Sequence, residues 1–217
     1  MNSIRDEILG KVRGALGRRA GAPPPTIPAT ARVSPRKPGD PEAEMALLLG
    51  EIEKLSGVTR RLASRDELGV ALAELVKTED VKRATVWTTP DLADLGVGET
   101  LKALGVEIVP AQADKHLVAT CELGVTGVDA ALPETGTLLL RSSPERPRVV
   151  SLLPRVYLAI FTSAVLRPDL HQAFAEAKDA GYSVLVTGPS RTADIELTLT
   201  LGVHGPKALY AWVMNEP

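Results

Sequence analysis

From Val58 onward, short apolar runs alternate with helix-period patterns, and this alternation limits the fold more than any other feature of the chain. Val58 to Ala63 is β-prone. Ser64-Arg65-Asp66-Glu67 then opens a helix, with Ser64 as N-cap and Glu67 at the capping-box position; Leu68, Leu72, Leu75 and Val76 make its apolar stripe. Ala84 to Thr88 is the next strand, Asp91 to Leu104 the next helix, and Val106 to Val109 the strand after it. Strands joined through helices pair in parallel, so an α/β fold is expected, a parallel sheet covered by helices.

The stretch before Val58 has a different character. Ile4, Ile8, Val12 and Leu16 recur at helical spacing among charged residues, which predicts an amphipathic helix. Ala20 to Pro41 then holds Pro23, Pro24, Pro25, Pro28, Pro35, Pro38 and Pro41, which exclude helix and inner strand and leave an extended linker. Residues 1–41 therefore read as an N-terminal helical arm with its linker, and residues 42–217 as a single α/β domain that begins with a helix carrying Met45, Leu48, Leu49 and Ile52. A lone amphipathic helix has no core of its own. It packs back on its domain, or docks on a partner or a second copy of the chain.

Composition removes several function classes. The 25 Lys+Arg nearly balance 27 Asp+Glu, and two Phe, three Tyr and two Trp offer no base-stacking cluster, so nucleic acid is not the expected partner. One cysteine, Cys121, forbids an internal disulfide, in keeping with a reducing cytoplasm, and is too few for a protein-held iron–sulfur cluster. His116, His171 and His204 match no metal-binding spacing, so no metal is expected. No run reaches the roughly 20 apolar residues of a membrane span.

Beyond Leu117 three β runs follow closely: Thr137 to Arg141, Arg148 to Leu153 and Val156 to Phe161. The turn Ser143 to Pro147 would join the first two as a hairpin. Val165 to Ala180 predicts a helix. Tyr182 to Asn215 then reads as strand, glycine-bearing loop, helix, loop, strand, a βαβ unit whose helix opens at Thr192-Ala193-Asp194.

Such a helix start, outside the carboxyl end of a strand, presents backbone N–H groups to an anion. Gly188, Ser190, Arg191, Thr192 and Asp194 are the residues there. The turn is neither a P-loop nor GxGxxG, so it carries no nucleotide fingerprint. Ser190 and Thr192 can cap the helix, Arg191 can hold a carboxylate or phosphate through its fork, and Asp194 suits the positive end of the dipole. A plain helix start would use the same residues without any ligand. Upstream, Glu134, Thr135, Gly136 and Thr137 place a carboxylate and two hydroxyls around a glycine before a strand. His204, between Gly202 and Gly205, falls where the helix should end. There it is either a dipole-favoured cation or an acid/base group.

Four blocks, in order, resemble the lactate utilization protein C family (LutC/YkgG, the LUD domain): Gly127 to Leu140 (GVDAALPETGTLLL), Ser151 to Pro154, Thr187 to Glu196 (TGPSRTADIE) and Gly202 to Pro206 (GVHGP). The resemblance covers roughly residues 42 to 215. It implies a Rossmann-like three-layer sandwich similar to the NagB/RpiA/CoA-transferase fold. It also implies a place in an L-lactate oxidation system whose partner subunits carry the iron–sulfur clusters, this chain holding no cofactor itself. Within such a system the residue types above would form an anion pocket, with Thr135, Gly136, Thr137, Gly188, Ser190, Arg191, Thr192 and Asp194 as ligand-binding candidates and Glu134 and His204 as acid/base candidates. Tyr157 stands where the family often has histidine. A different class of function, a stand-alone isomerase- or CoA-transferase-like enzyme acting on a small phosphorylated or carboxylate substrate, would make Glu134 the nucleophile or base.

Overall fold

A computed structural model describes residues 4–18, 23, 35–179, 181–193, 199–201 and 204–215. The chain divides into two compact units, Met1–Ser34 and Pro35–Pro217. The first contains helix α1 (Ile4–Ala15), none of whose residues is buried.

In the second unit, α2 (Pro41–Lys54) leads into β1 (Val58–Leu62), followed by α3 (Arg65–Thr78), β2 (Arg83–Val86), α4 (Pro90–Asp94), α5 (Val97–Ala103), β3 (Glu107–Pro110), α6 (Lys115–Val118) and β4 (Leu123–Thr126). Then come β5 (Ala130–Leu132), β6 (Thr137–Arg141), α7 (Val149–Leu152), β7 (Val156–Phe161), α8 (Leu170–Ala177), β8 (Ser183–Val186), β9 (Arg191–Ala193), β10 (Leu199–Leu201) and β11 (Ala208–Met214). Among the described residues, six strands form one sheet in the order β1-β11-β7-β4-β2-β3, with every pairing parallel. The α/β class with a parallel sheet expected from the sequence is the class observed. No helix among the described residues is long and apolar enough to cross a membrane.

Side-chain alternation in register sorts residues to the two faces of this sheet. Gly124, Tyr157 and Leu209 share one face, and there α7 packs so tightly that a Cβ on Gly124 would lie 1.9 Å from the Val150 carbonyl oxygen. Tyr210, Trp212 and Arg60 share the other, where α3 brings Ala71, Glu74, Leu75 and Thr78 around them. A second sheet, antiparallel β5-β6-β8, contributes Leu138, Leu140 and Ala131 to the main core. Its other side, with Ala130, Leu132 and Leu139, is covered by Ala173 and Ala177 of α8.

Local signals were met at α3. The Ser64 hydroxyl accepts from the Glu67 N–H at 3.2 Å, and Glu67 reaches back to the Ala63 N–H at 2.7 Å. A reciprocal cap of this kind stabilises a helix by about 1 kcal/mol.

Several expectations are corrected. Residues 149–152 are helical, although Val149 and Val150 favour strands. The burial of Val150 against Gly124 outweighs that propensity. The expected hairpin partner of β6 is therefore absent, and β6 pairs instead with β5 and β8. The single helix at Asp91–Leu104 is two helices, broken at Gly96 with φ +67. The helix expected from Val165 begins at Leu170, because the Asp169 side chain caps it and Leu166 bridges to Ala131. The largest correction concerns the βαβ unit. β8 lies in the antiparallel sheet, and residues 191–193 are a strand paired antiparallel with 199–201, not a helix start.

Candidate functional site

The predicted ligand residues gather around the C-terminus of α2. Gly136 has φ +61, and a Cβ there would stand 2.8 Å from the Ile52 nitrogen. Gly188 packs on Leu55. Arg191 donates from Nη2 to the Leu55 carbonyl at 2.7 Å and to the Ser56 hydroxyl at 3.4 Å. The hydroxyls of Thr135, Thr137 and Thr187 form a chain with both links at 2.7 Å. Ser190 donates its N–H to the Pro206 carbonyl at 2.9 Å, and its side chain faces Gly205. Thr192 lies in β9, and Asp194 falls outside the described residues.

This place carries a different electrostatic sign from the one expected. A helix C-terminus presents unsatisfied carbonyls and a partial negative charge, which favours a cation over an anion. Arg191 supplies that cation. Leu55 and Ser56 also precede β1, and Pro206 and Lys207 precede β11, so the cluster sits at the amino edge of the parallel sheet. His204 is exposed in the turn before β11, with no described helix ending at it.

Glu134 is held elsewhere. Its carboxylate is 3.0 Å from Arg36 Nε, while the same guanidinium binds Glu44 through both terminal nitrogens at 2.7 and 2.8 Å. Arg36 also donates its N–H to Asp169 at 2.8 Å. The Arg36 guanidinium holds the Glu44 carboxyl below its ordinary range. Beside this network is a cavity of about 200 Å³ lined by prolines 38, 41, 133 and 168 together with Glu44 and Arg167.

The opposite edge of the sheet was missed by the sequence reading. The chain passes from β2 out to β3, then returns to β4 and continues through β7 to β11, so the switch point lies between β2 and β4. Ligands of open parallel sheets bind at such a point, outside the carboxyl ends of the strands. Here Trp87 is buried, donates its indole N–H to the Pro147 carbonyl at 3.0 Å, and lies 5.8 Å under the Arg146 guanidinium. Asp129, with a side chain 8% exposed, accepts from Arg146 Nη1 at 2.8 Å, from Arg141 Nε at 3.0 Å and from the Arg141 N–H at 2.7 Å. The Gln112 amide bridges the Thr88 hydroxyl and the Glu145 carbonyl. The Thr89 hydroxyl oxygen is buried without a hydrogen-bond partner. Asp129 lies inside the GVDAALPETGTLLL block. The turn Ser143–Pro147, which brings in Arg146, was read as a hairpin connection and hid the site.

Tyr157 stands just below this edge. The Thr126 hydroxyl donates to the Gly127 carbonyl at 2.7 Å, so with a single hydrogen it accepts from the Tyr157 hydroxyl, also at 2.7 Å. Burial pushes the Tyr157 phenol well above its usual range, so it acts as a neutral donor that bridges β7 and β4.

The architecture is that of a Rossmann-like α/β sandwich with an inserted antiparallel sheet. A crystal structure of a DUF162 family protein from Deinococcus radiodurans shares the fold, with a TM-score of 0.58 and 18% identity, covering 82% of this chain and 99% of that one. Residues 46–214 match the LUD domain, and the chain belongs to that family. Lactate utilization protein C of Shouchella clausii is 34% identical over 155 residues, 66% of this chain and 68% of the relative. The protein of the same name from Exiguobacterium sp. is 28% identical over 227 residues, 93% of this chain and 92% of the relative.

Proposed function

We propose that this chain is the cluster-free subunit of a lactate-oxidising system whose iron–sulfur clusters are carried by partner subunits in the cytoplasm. The observation that supports the reading most is the similarity to proteins named lactate utilization protein C, which in one relative runs over 92% of its length. The single cysteine agrees with clusters held elsewhere.

The geometry weighs against the second reading, a stand-alone isomerase or CoA transferase with Glu134 as nucleophile. The Arg36 guanidinium, 3.0 Å from one oxygen of that carboxylate, draws charge from it and makes it a weaker nucleophile.

The test is to purify the tagged chain from its source cells grown on L-lactate, then assay the eluate for iron and for lactate-driven reduction of a dye. Iron and activity that co-elute with the chain are expected. A clean, iron-free chain without activity overturns the subunit reading.

A further inference from the structure

We propose that the carboxyl edge between β2 and β4 is a binding site for a small carboxylate, gripped by the Arg146 guanidinium over the Trp87 ring, with the Thr88 and Thr89 hydroxyls beside it. This deepens the subunit reading by giving a ligand class and a place. The choice of L-lactate as probe rests on that reading.

Three independent observations converge. The position is the switch point of the parallel sheet, where strand connections diverge and ligands of such sheets bind. Its guanidiniums are only partly paired by direct contact, because Arg141 and Arg146 share one carboxylate, Asp129. The neighbouring acids Glu145 and Glu176 attract Arg146 and Arg141 from a distance, without an ion-pair contact. Glu145 accepts from the Ser143 hydroxyl at 2.8 Å, and Glu176 is paired with Arg167 and accepts from Arg141 through its backbone carbonyl. Finally, the buried Thr89 oxygen has no partner, a condition that native structures relieve with a water or a ligand.

The parts suit a carboxylate. Arg146 spends Nη1 on Asp129 and lies over the Trp87 ring, which leaves the rest of its planar fork for a planar anion. Asp129 is mostly buried and receives three donors, which fixes Arg146 in place. A hydroxyl on the carbon next to the carboxylate would find the Thr88 and Thr89 oxygens as partners.

The experiment uses the purified full chain and follows its two indole N–H resonances by NMR during titration with L-lactate, propionate and inorganic phosphate. A Trp212→Phe variant assigns them. The Trp87 signal is expected to move saturably with L-lactate, and more weakly with propionate, while the Trp212 signal stays. Arg146→Gln is expected to weaken L-lactate binding by about tenfold or more. Arg148→Gln, whose guanidinium stacks on Tyr182, is expected to bind as the parent does.

Should Arg146→Gln fail to fold, Thr89→Val, nearly the same shape, takes its place and is expected to weaken binding several-fold. An unmoved Trp87 signal, or a shift by L-lactate that both Arg146→Gln and Thr89→Val leave intact, overturns the proposal. So does a response to phosphate alone. A chain that binds L-lactate but brings down no iron keeps this site and removes the subunit reading. The converse removes the site alone.

Discussion

The two edges of the parallel sheet differ in how completely their polar groups are used. At the amino edge around β7 and β11, bonds close on themselves. Arg155 pairs with Glu79 at 2.8 Å, the Tyr210 hydroxyl donates to the same carboxylate at 2.7 Å, and Lys207 donates its N–H to the Arg155 carbonyl. Burial, reinforced by Glu79, pushes the Tyr210 phenol up to about 12, so it remains a donor. Arg191 caps α2 next to this group. At the carboxyl edge two guanidiniums meet one carboxylate, and a hydroxyl is left over. Polar residues between apolar runs mark both edges equally. What separates them is whether the fold itself supplies the partners.

Four changes would break or sharpen this contrast. The carboxyl-edge turn hangs on α7, so Gly124→Ala, which pushes its methyl into the Val150 carbonyl, is expected to cost about 3 kcal/mol or more. Urea unfolding measures the loss, and the Trp87 indole resonance should shift with it.

Glu44→Gln comes next, with a melting temperature several degrees lower at pH 7. Glu44 has its folded pKa depressed below the ordinary 4.5, chiefly by the hydrogen bonds from Arg36. Its contribution is therefore present above the unfolded pKa and lost as pH falls through the folded one. Parent and variant should converge as pH falls from the ordinary carboxylate range through the lowered folded pKa. Curves that stay parallel would show that Glu44 is not a source of acid sensitivity.

Arg191→Ala is expected to cost about 1 kcal/mol through loss of the α2 cap and to leave the L-lactate titration unchanged. Lost binding would instead return the ligand to the amino edge and dissolve the contrast. Smallest is the effect at Cys121, whose thiol burial pushes up to about 11. It should resist a thiol reagent at pH 8 until denaturant is added.

The sequence carried the class of fold because periodicity reports burial, and burial is what sheets and helices share with the core. Leu48, Ile52, Leu68 and Leu72 were all readable as buried and are buried. It misled at Val149–Leu152, where local propensity points to a strand and a single tertiary contact with Gly124 decides for a helix. It misled again at Ser190–Thr192, since capping residues look the same whether they start a helix or brace the end of another. Thr137, Gly136, Gly188 and Arg191 meet around the end of α2, but that helix lies more than eighty residues away in sequence from either segment, and no spacing rule reaches that far. Arg146 could have been noticed as a cation in the turn after β6, yet its pairing with Asp129 depends on the insertion folding back.

The position of β1 has a consequence for how the chain is made. Its neighbour in the sheet is β11, with Val58 opposite Tyr210, so the partner is synthesised about 150 residues later. At ordinary elongation rates the strand leaves the ribosome and waits on the order of ten seconds with its backbone unpaired. Arg60 and Arg61, exposed in the finished protein and paired with Glu74 and Glu42, put on that strand the kind of charge that opposes pairing with another copy.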